Sequence, residues 1–234
     1  MQNNLFNSVL EINKTTADDL FRMYVLSSGS NTAVKSSEFI FPKYRIDNGN
    51  SEVKLRISEQ EARIHYCFNL NNNKYNYLYS IETPTSRLYN FTKQKSENNS
   101  KPGRSALSDL SIYDSSKNKL LNVEFKAHNP EQRSYDKDIE KLIGEEVCGN
   151  WFHLLKNIDK GTIKSLNFKF KLAVEIAISK NQYVFDDNKN LWIFFFIVIL
   201  DKKKIKYKTL NLNRLGDKNY FKELFPEKDD WESE

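Results

Sequence analysis

The sequence predicts an α/β protein with a central mixed β-sheet flanked by helices on both faces. Three observations predict it. Residues 106–113 and 119–127 read as two strands joined by Asp114-Ser115-Ser116-Lys117-Asn118, a composition that favours tight reversal. The stretch Leu191–Leu200 (L-W-I-F-F-F-I-V-I-L) is rich in aromatic and β-branched residues and reads as a strand buried on both faces. It is too short for a membrane helix, which needs about 20 apolar residues. In residues 134–158, Ile139, Leu142, Ile143, Val147, Trp151, Leu154, Leu155 and Ile158 form the apolar stripe of a helix.

The other elements follow in chain order. Thr16-Ala17-Asp18-Asp19 caps a helix that runs to about Leu26, its acids well placed in the first turn. A Ser/Gly/Asn-rich loop spans 27–38. Phe39–Ile46 and Glu52–Ile57 form a hairpin across Asp47-Asn48-Gly49-Asn50, since Asn-Gly tolerates positive φ. A helix starts at Ser58 and reaches about Leu70; Ser58 with Glu61 has capping-box spacing and Ile57 with Ala62 staple spacing. Tyr75–Ile81 is a strand that ends at Glu82-Thr83-Pro84, where proline stops the ladder.

Residues 86–105 form a polar loop with Arg87, Lys93, Lys95, Lys101 and Arg104 against Glu97 alone. Such a loop suits phosphate-backbone contact, with Tyr89 and Phe91 able to stack on bases; a merely solvated loop is the plain alternative. His128-Asn129-Pro130 breaks the chain before the helix over 134–158, which Gly144 and Gly149 bend or divide. On that helix Lys137 and Lys141 fall one turn apart, away from the apolar stripe. Asn167–Ile178 alternates as a half-covered strand, and Leu191–Leu200 with Ile205–Leu212 close as a hairpin across Asp201-Lys202-Lys203-Lys204. The tail from Glu227 is acidic and expected to fray. The organisation is an N-terminal extension (1–55), a main domain (56–225) and the tail (226–234).

Composition sets bounds rather than a function. The chain has 234 residues, 39% hydrophobic and 13% aromatic, enough for a sizeable core, and its net charge of +5 suits a polyanionic partner. Cys67 and Cys148 are far apart, lie in helix-like stretches, and belong to no zinc or disulfide pattern, so they read as buried thiols. The start, Met-Gln-Asn-Asn-Leu, lacks the basic and apolar regions of a signal peptide. The expected location is cytoplasmic, with no membrane partner. There is no Walker-type phosphate loop and no H-E-x-x-H.

The chemistry concentrates in Asp109, Glu124 and Lys126. Side chains two apart share a strand face, so Leu121, Val123, Phe125 and Ala127 point one way and Glu124 and Lys126 the other. The apolar face fixes the register, and a hairpin brings Asp109 beside Glu124. Mg²⁺ prefers oxygen ligands and is commonly held by one or two carboxylates plus phosphate and water. A nearby lysine orients the water or neutralises developing charge. The plain alternative is a strand-end acid and a solvated cross-face pair, which a chain with 29% charged residues produces by chance. His128 follows Lys126 by two positions and is placed to share its face.

With these residues in that order, the sequence resembles the PD-(D/E)xK nuclease superfamily over roughly residues 56–180. Asp109 matches the first acid, with Ser108 in place of the proline, and Glu124-Phe125-Lys126 matches [D/E]-x-K. The flanking order of helix, strand, strand, strand, helix, strand supports the match. The resemblance implies a restriction-endonuclease-like core and a metal-dependent nuclease, DNA being the preferred substrate over RNA. Asp109, Glu124 and the Phe125 main-chain carbonyl would hold Mg²⁺, with Mn²⁺ able to substitute, and Lys126 would serve the attacking water. It also implies a further glutamate from the first helix, Glu59 or Glu61, and a phosphate contact from Lys137; Arg104 of the basic loop and His128 beside Lys126 are further substrate-binding candidates on their positions, and Glu82 a further metal candidate at its strand end. Relatives often act as homodimers in restriction, phage defence, recombination or mobile elements. The alternatives are an inactive nucleic-acid-binding or partner-docking module on the same fold, and a toxin-like RNase.

Overall fold

The computed structural model describes residues 2–29, 38–47, 51–72, 76–91, 103–180, 189–226 and 229–234. The Asn48-Gly49 turn and the charged residues Lys93, Lys95, Glu97 and Lys101 lie outside them. The chain is an α/β protein whose seven-stranded mixed sheet has the order β3-β4-β5-β6-β7-β8-β9, beside a two-stranded hairpin, β1-β2. The elements are α1 (Gln2–Ser27), β1 (Lys43–Asp47), β2 (Ser51–Leu55), α2 (Glu59–Asn71), β3 (Leu78–Tyr89), β4 (Arg104–Tyr113) and β5 (Lys119–Ala127), then α3 (Gln132–Gly144), β6 (Cys148–Leu155), α4 (Thr162–Lys180), β7 (Trp192–Ile199), β8 (Lys204–Asn211), a short α5 (Lys218–Leu224) and β9 (Glu232–Ser233). The strands β5, β6 and β7 run parallel, and the other neighbours are antiparallel. Among the described residues no helix is long and apolar enough to cross a membrane.

Alternation along the strands shows how the helices are layered. Phe125 and Phe152 meet Tyr66 of α2, while Trp192 and Phe194 meet Phe6 of α1. The residues of opposite parity, Trp151 and Phe195, meet Phe170 of α4, and Trp151 stacks on Tyr135 of α3. Successive strand side chains point to opposite faces. The helices α1 and α2 therefore cover one face, and α3 and α4 the other. A strand covered on both sides needs no polar face, and β6 and β7 are buried at every residue.

The first helix is far longer than the cap at Thr16 implies. Its buried stripe begins at Leu5 and continues through Val9, Ile12, Ala17, Leu20 and Met23. Asn13 and Thr16 interrupt that stripe in sequence, yet both are buried and bonded. Asn13 exchanges amide hydrogen bonds with Asn150 of β6 at 3.1 and 2.9 Å, and Asn69 donates to Thr16 Oγ1 at 3.1 Å. Residues that look like a helix start are interior groups with partners. Through this stripe α1 shares one core with the sheet.

Three further expectations are corrected. The helix expected over 134–158 ends at Gly144, and the residues from Cys148 form the parallel strand β6. Glu146, at φ 56°, turns the chain between them. The strand expected over 167–178 is α4, whose buried residues Ile163, Leu166, Asn167, Phe170, Ala173, Val174 and Ala177 recur at helical spacing. Pro84 does not end its strand: β3 continues to Tyr89, and Pro84 pairs with Leu107 at a register shift on the edge of the sheet. Edge strands and bulges are where a strand tolerates a residue without an N–H.

Smaller corrections follow. Residues 86–89 and 104–105, expected in a loop, lie in β3 and β4, and Cys148 lies in a strand. Tyr89 and Phe91 stack on each other, with ring centroids 5.6 Å apart and planes 5° apart, so neither ring presents two open faces to bases. The acidic tail is anchored: β9 adds to β8, and Trp231 is buried with its indole N–H donated to Asn167 at 2.7 Å.

Candidate active site

The site begins with the β4–β5 hairpin. Leu110 pairs with Val123 and both are buried on the α2 side, so Asp109 and Glu124, one step further on, fall on the other side. Ser111 and Asn122 confirm the shared face, with Ser111 Oγ donating to Asn122 Oδ1 at 2.7 Å. Asp109 Oδ2 accepts from the Phe125 backbone N–H at 2.8 Å, so a carboxylate replaces a carbonyl where the two strands separate.

Two residues of α3 complete the cluster. Asp138 and Lys141 face the sheet and are buried. Lys126 Nζ lies 2.8 Å from Asp138 Oδ2, donates to the Phe125 carbonyl at 2.9 Å, and is 4.0 Å from Glu59 Oε1 of α2. Lys141 Nζ lies 2.8 Å from Glu124 Oε1 and 2.8 Å from Asp138 Oδ1, and donates to the Leu107 carbonyl at 2.8 Å. The group holds the carboxyls of Glu59, Asp109, Glu124 and Asp138 against two ammoniums, an excess of two acids. Glu124 is fully buried; among the described residues neither of its oxygens accepts a hydrogen bond, and Oε1 has the Lys141 ion pair while Oε2 has no donor near it.

The environment separates these carboxyls. Burial first, then Asp138, pushes the Glu124 carboxyl well above its usual range despite Lys141. Burial opposes the Asp138 charge as well, but the ammoniums of Lys141 and Lys126 outweigh it and hold that carboxyl low. Asp138 is therefore the charged partner of both lysines, and Glu124 is the member that gains most from another cation. Burial works against the Lys126 ammonium, yet Asp138 and Glu59 more than offset it, and Lys126 stays charged far above neutrality. Burial also raises Glu59.

The other sequence candidates are placed as follows. Glu61 is spent on the helix start, where its Oε2 accepts from the Ser58 backbone N–H at 3.0 Å. Glu82, at φ 53°, is exposed and pairs with Arg63 at 3.0 Å. The Phe125 carbonyl already accepts from Lys126. Lys137 lies 5.6 Å over the Phe91 ring, and Arg104 is exposed at the start of β4, opposite Tyr89. His128, at φ 61°, ties the end of β5 to the entry of α2: its Nε2 is 2.7 Å from the Ile57 carbonyl and its N–H donates to Leu154 at 2.9 Å. That tie keeps Glu59 near Lys126.

Neither Asp138 nor Lys141 is among the site candidates that the sequence offers, and Lys141, expected with Lys137 on the side away from the apolar stripe, is instead buried against the sheet. The signal was present. Tyr135, Ile139 and Leu142 define the buried face of α3, and Asp138 and Lys141 fall on it. Charged residues on a buried helix face need charged partners, and Glu124 and Lys126 are those partners.

His153 of β6 lies behind the cluster, opposite Lys126 in the parallel ladder. Its Nε2–H donates to the His128 carbonyl at 2.6 Å, and its Nδ1 is buried without a partner among the described residues. Burial pushes the imidazole down from 6.5 to about 4. The ring is thus neutral in the folded chain, while the unfolded chain takes up a proton near 6.5. Stability should fall as pH drops from about 6.5 toward 4, by up to about 3 kcal/mol from this group. Burial of Glu124 and Glu59 acts with the opposite sign, so the test is a difference. Urea midpoints at pH 7 and pH 5 should diverge less in His153→Gln than in wild type; an equal divergence would exclude His153 as the cause.

Among the described residues no three His, Cys, Asp or Glu side chains form a ready-made metal cage. The donor chemistry nonetheless fits a hard divalent cation. Asp109 and Glu124 are two carboxylates on one face, Glu124 Oε2 is buried and unpartnered, and the cluster carries two acids in excess. One or two carboxylates suffice for Mg²⁺ when water and phosphate supply the rest. Compared with protein-family models, curated proteins and solved structures, the chain has no significant match in any of the three.

Proposed function

We propose that the chain is a metal-dependent nuclease that hydrolyses phosphodiester bonds, with DNA as the preferred substrate. The observation that carries this reading is the convergence of Asp109, Glu124 and Lys126 from β4 and β5 on one face, with a buried Glu124 oxygen lacking a partner. The order α2-β3-β4-β5-α3-β6, with β5 and β6 parallel across the α3 crossover, supports a restriction-endonuclease-like core. Asp109 and Glu124 would hold Mg²⁺ or Mn²⁺. Such an ion supplies Lewis-acid stabilisation of phosphate charge and eases deprotonation of water.

The protein's own groups do the positioning. Asp138 and the Phe125 carbonyl take two of the three N–H groups of Lys126, which fixes the ammonium and leaves one N–H for a water or a phosphate oxygen. A lysine held charged serves as donor and counter-charge, not as base. Glu59, 4.0 Å from Lys126 and raised by burial, is placed to take up a proton. Lys137 and Arg133 line the neighbouring side of α3, where Arg133 donates to the Phe91 carbonyl, and offer positive charge to a phosphate backbone.

One observation favours the alternative, an inactive nucleic-acid-binding module: Lys141 already neutralises part of the Glu124 charge. The deciding assay incubates the chain with supercoiled plasmid, single-stranded DNA and RNA in Mg²⁺ or Mn²⁺, beside Asp109→Ala. Cleavage by wild type and none by a folded Asp109→Ala supports the nuclease. Binding without cleavage of any of the three under either metal establishes the inactive module.

A further inference from the structure

We propose that Lys141 is a built-in counter-cation of the acidic cluster, and that a divalent ion reaches Glu124 by displacing the Lys141 ammonium from it. The inference rests on the metal-dependent reading above and assigns Lys141 as a positioning residue that controls metal occupancy. Three oxygens surround Lys141 Nζ at 2.8 Å each: Glu124 Oε1 from β5, Asp138 Oδ1 from its own helix, and the Leu107 carbonyl from β4. An ammonium has three N–H donors, as many as the oxygens around it: the Leu107 carbonyl accepts one, and Glu124 and Asp138 are held as ion pairs. Two carboxylates and a carbonyl are also a hard-oxygen set of the kind divalent ions choose. The side chain is 8% exposed, so water does little to satisfy these oxygens in its place.

The contacts also define a route for exchange. Asp138 and Lys141 are one turn apart on α3, so their pairing does not depend on the sheet. A lysine stem is flexible. Its head can leave Glu124 and Leu107 while staying on Asp138, which keeps one charge pair throughout. Glu124 then has both carboxylate oxygens free for the ion, with Asp109 on the adjacent strand close enough to act on its charge. Four carboxyls share two ammoniums here, so a dication brings positive charge that Lys141 and Lys126 together do not supply. Removing the Lys141 charge widens the excess of carboxyls and removes the competitor.

The test is direct Mn²⁺ binding, read by calorimetry or by the paramagnetic signal of free Mn²⁺, on wild type, Lys141→Met, Lys126→Met, Glu124→Gln and the Lys141→Met/Glu124→Gln double variant. Lys141→Met should bind Mn²⁺ about tenfold tighter or more, the scale expected for removing one nearby charge from a cation site. Lys126→Met should tighten binding less, because Lys126 lies on Asp138 and Glu59 rather than on Glu124. The gain should vanish in the double variant. Lys141→Gln, neutral but able to hydrogen-bond, takes the place of Lys141→Met if the latter melts below assay temperature. Unchanged or weaker binding in a folded Lys141 variant overturns the exchange, as does a gain that survives Glu124→Gln. If wild type cleaves DNA with Mn²⁺ and the Lys141 variant binds no tighter, the nuclease reading stands and this inference alone falls. If neither protein binds Mn²⁺ or cleaves, both fall together.

Discussion

Lys126→Met should lower the initial rate of Mg²⁺-dependent plasmid cleavage by about 10²-fold or more, while the chain stays folded. The expectation combines two features of the site. The ammonium is held by Asp138 at 2.8 Å and by the Phe125 carbonyl at 2.9 Å, so it is aimed before substrate arrives. It is also strongly charged, because Asp138 and Glu59 outweigh its burial. A preorganised donor aimed at developing charge contributes roughly 10²–10³ in rate. Folding should suffer less than activity, because Asp138 keeps its second lysine, Lys141. Methionine also fills most of the space of the lysine stem, whose ammonium lies 5.8 Å from the Trp151 ring centroid. Paired measurements of cleavage rate and thermal midpoint make the check. A rate loss no larger than the loss of folded protein would remove Lys126 from the chemistry. Lys126→Arg should not restore the rate, since a planar guanidinium does not fit contacts built for a compact ammonium.

What the sequence revealed follows a physical line. The β4–β5 hairpin was legible because two local signals agree: a turn rich in Asp, Ser and Asn, and strict alternation in 119–127 with an apolar face that fixes the register. Ser58 and Glu61 marked the start of α2 for a similar reason, since a helix N-terminus solves its hydrogen-bond problem within a few residues. The β7–β8 hairpin was legible from the apolar density of Leu191–Leu200. The elements that misled are those whose identity is decided by distant partners. Asn150 and His153 break the apolar run of β6, and only their buried partners, Asn13 with Tyr66 and the His128 carbonyl, make them acceptable in a covered strand. The cluster shows the same limit. Asp109, Glu124 and Lys126 lie on adjacent strands and announce themselves by spacing, whereas Asp138 and Lys141 join only because the α3 crossover lays that helix over β5.

The helix α4 supports the second large prediction, which separates two readings of one segment. In a strand over 167–178, Phe168 and Phe170 would share a face and lose similar stability on truncation. In α4 they are about 200° apart around the axis. Phe168 is 65% exposed, and Phe170 is fully buried among Tyr135, Trp151, Phe195, Phe225 and Trp231. Phe170→Ala should therefore cost about 3–5 kcal/mol, and Phe168→Ala should stay within about 0.5 kcal/mol. Urea denaturation of the two variants decides the matter, and comparable losses would overturn the helix. The Phe170 effect should also reach the site. Phe170 packs on Trp151 and Tyr135, and the Lys126 ammonium lies 5.8 Å from the Trp151 ring. A cavity there loosens the surface against which α3 holds Asp138 and Lys141. Cleavage in Phe170→Ala should consequently fall even at temperatures where the variant is fully folded, whereas Phe168→Ala, on the solvent side of the same helix, should cleave as wild type does.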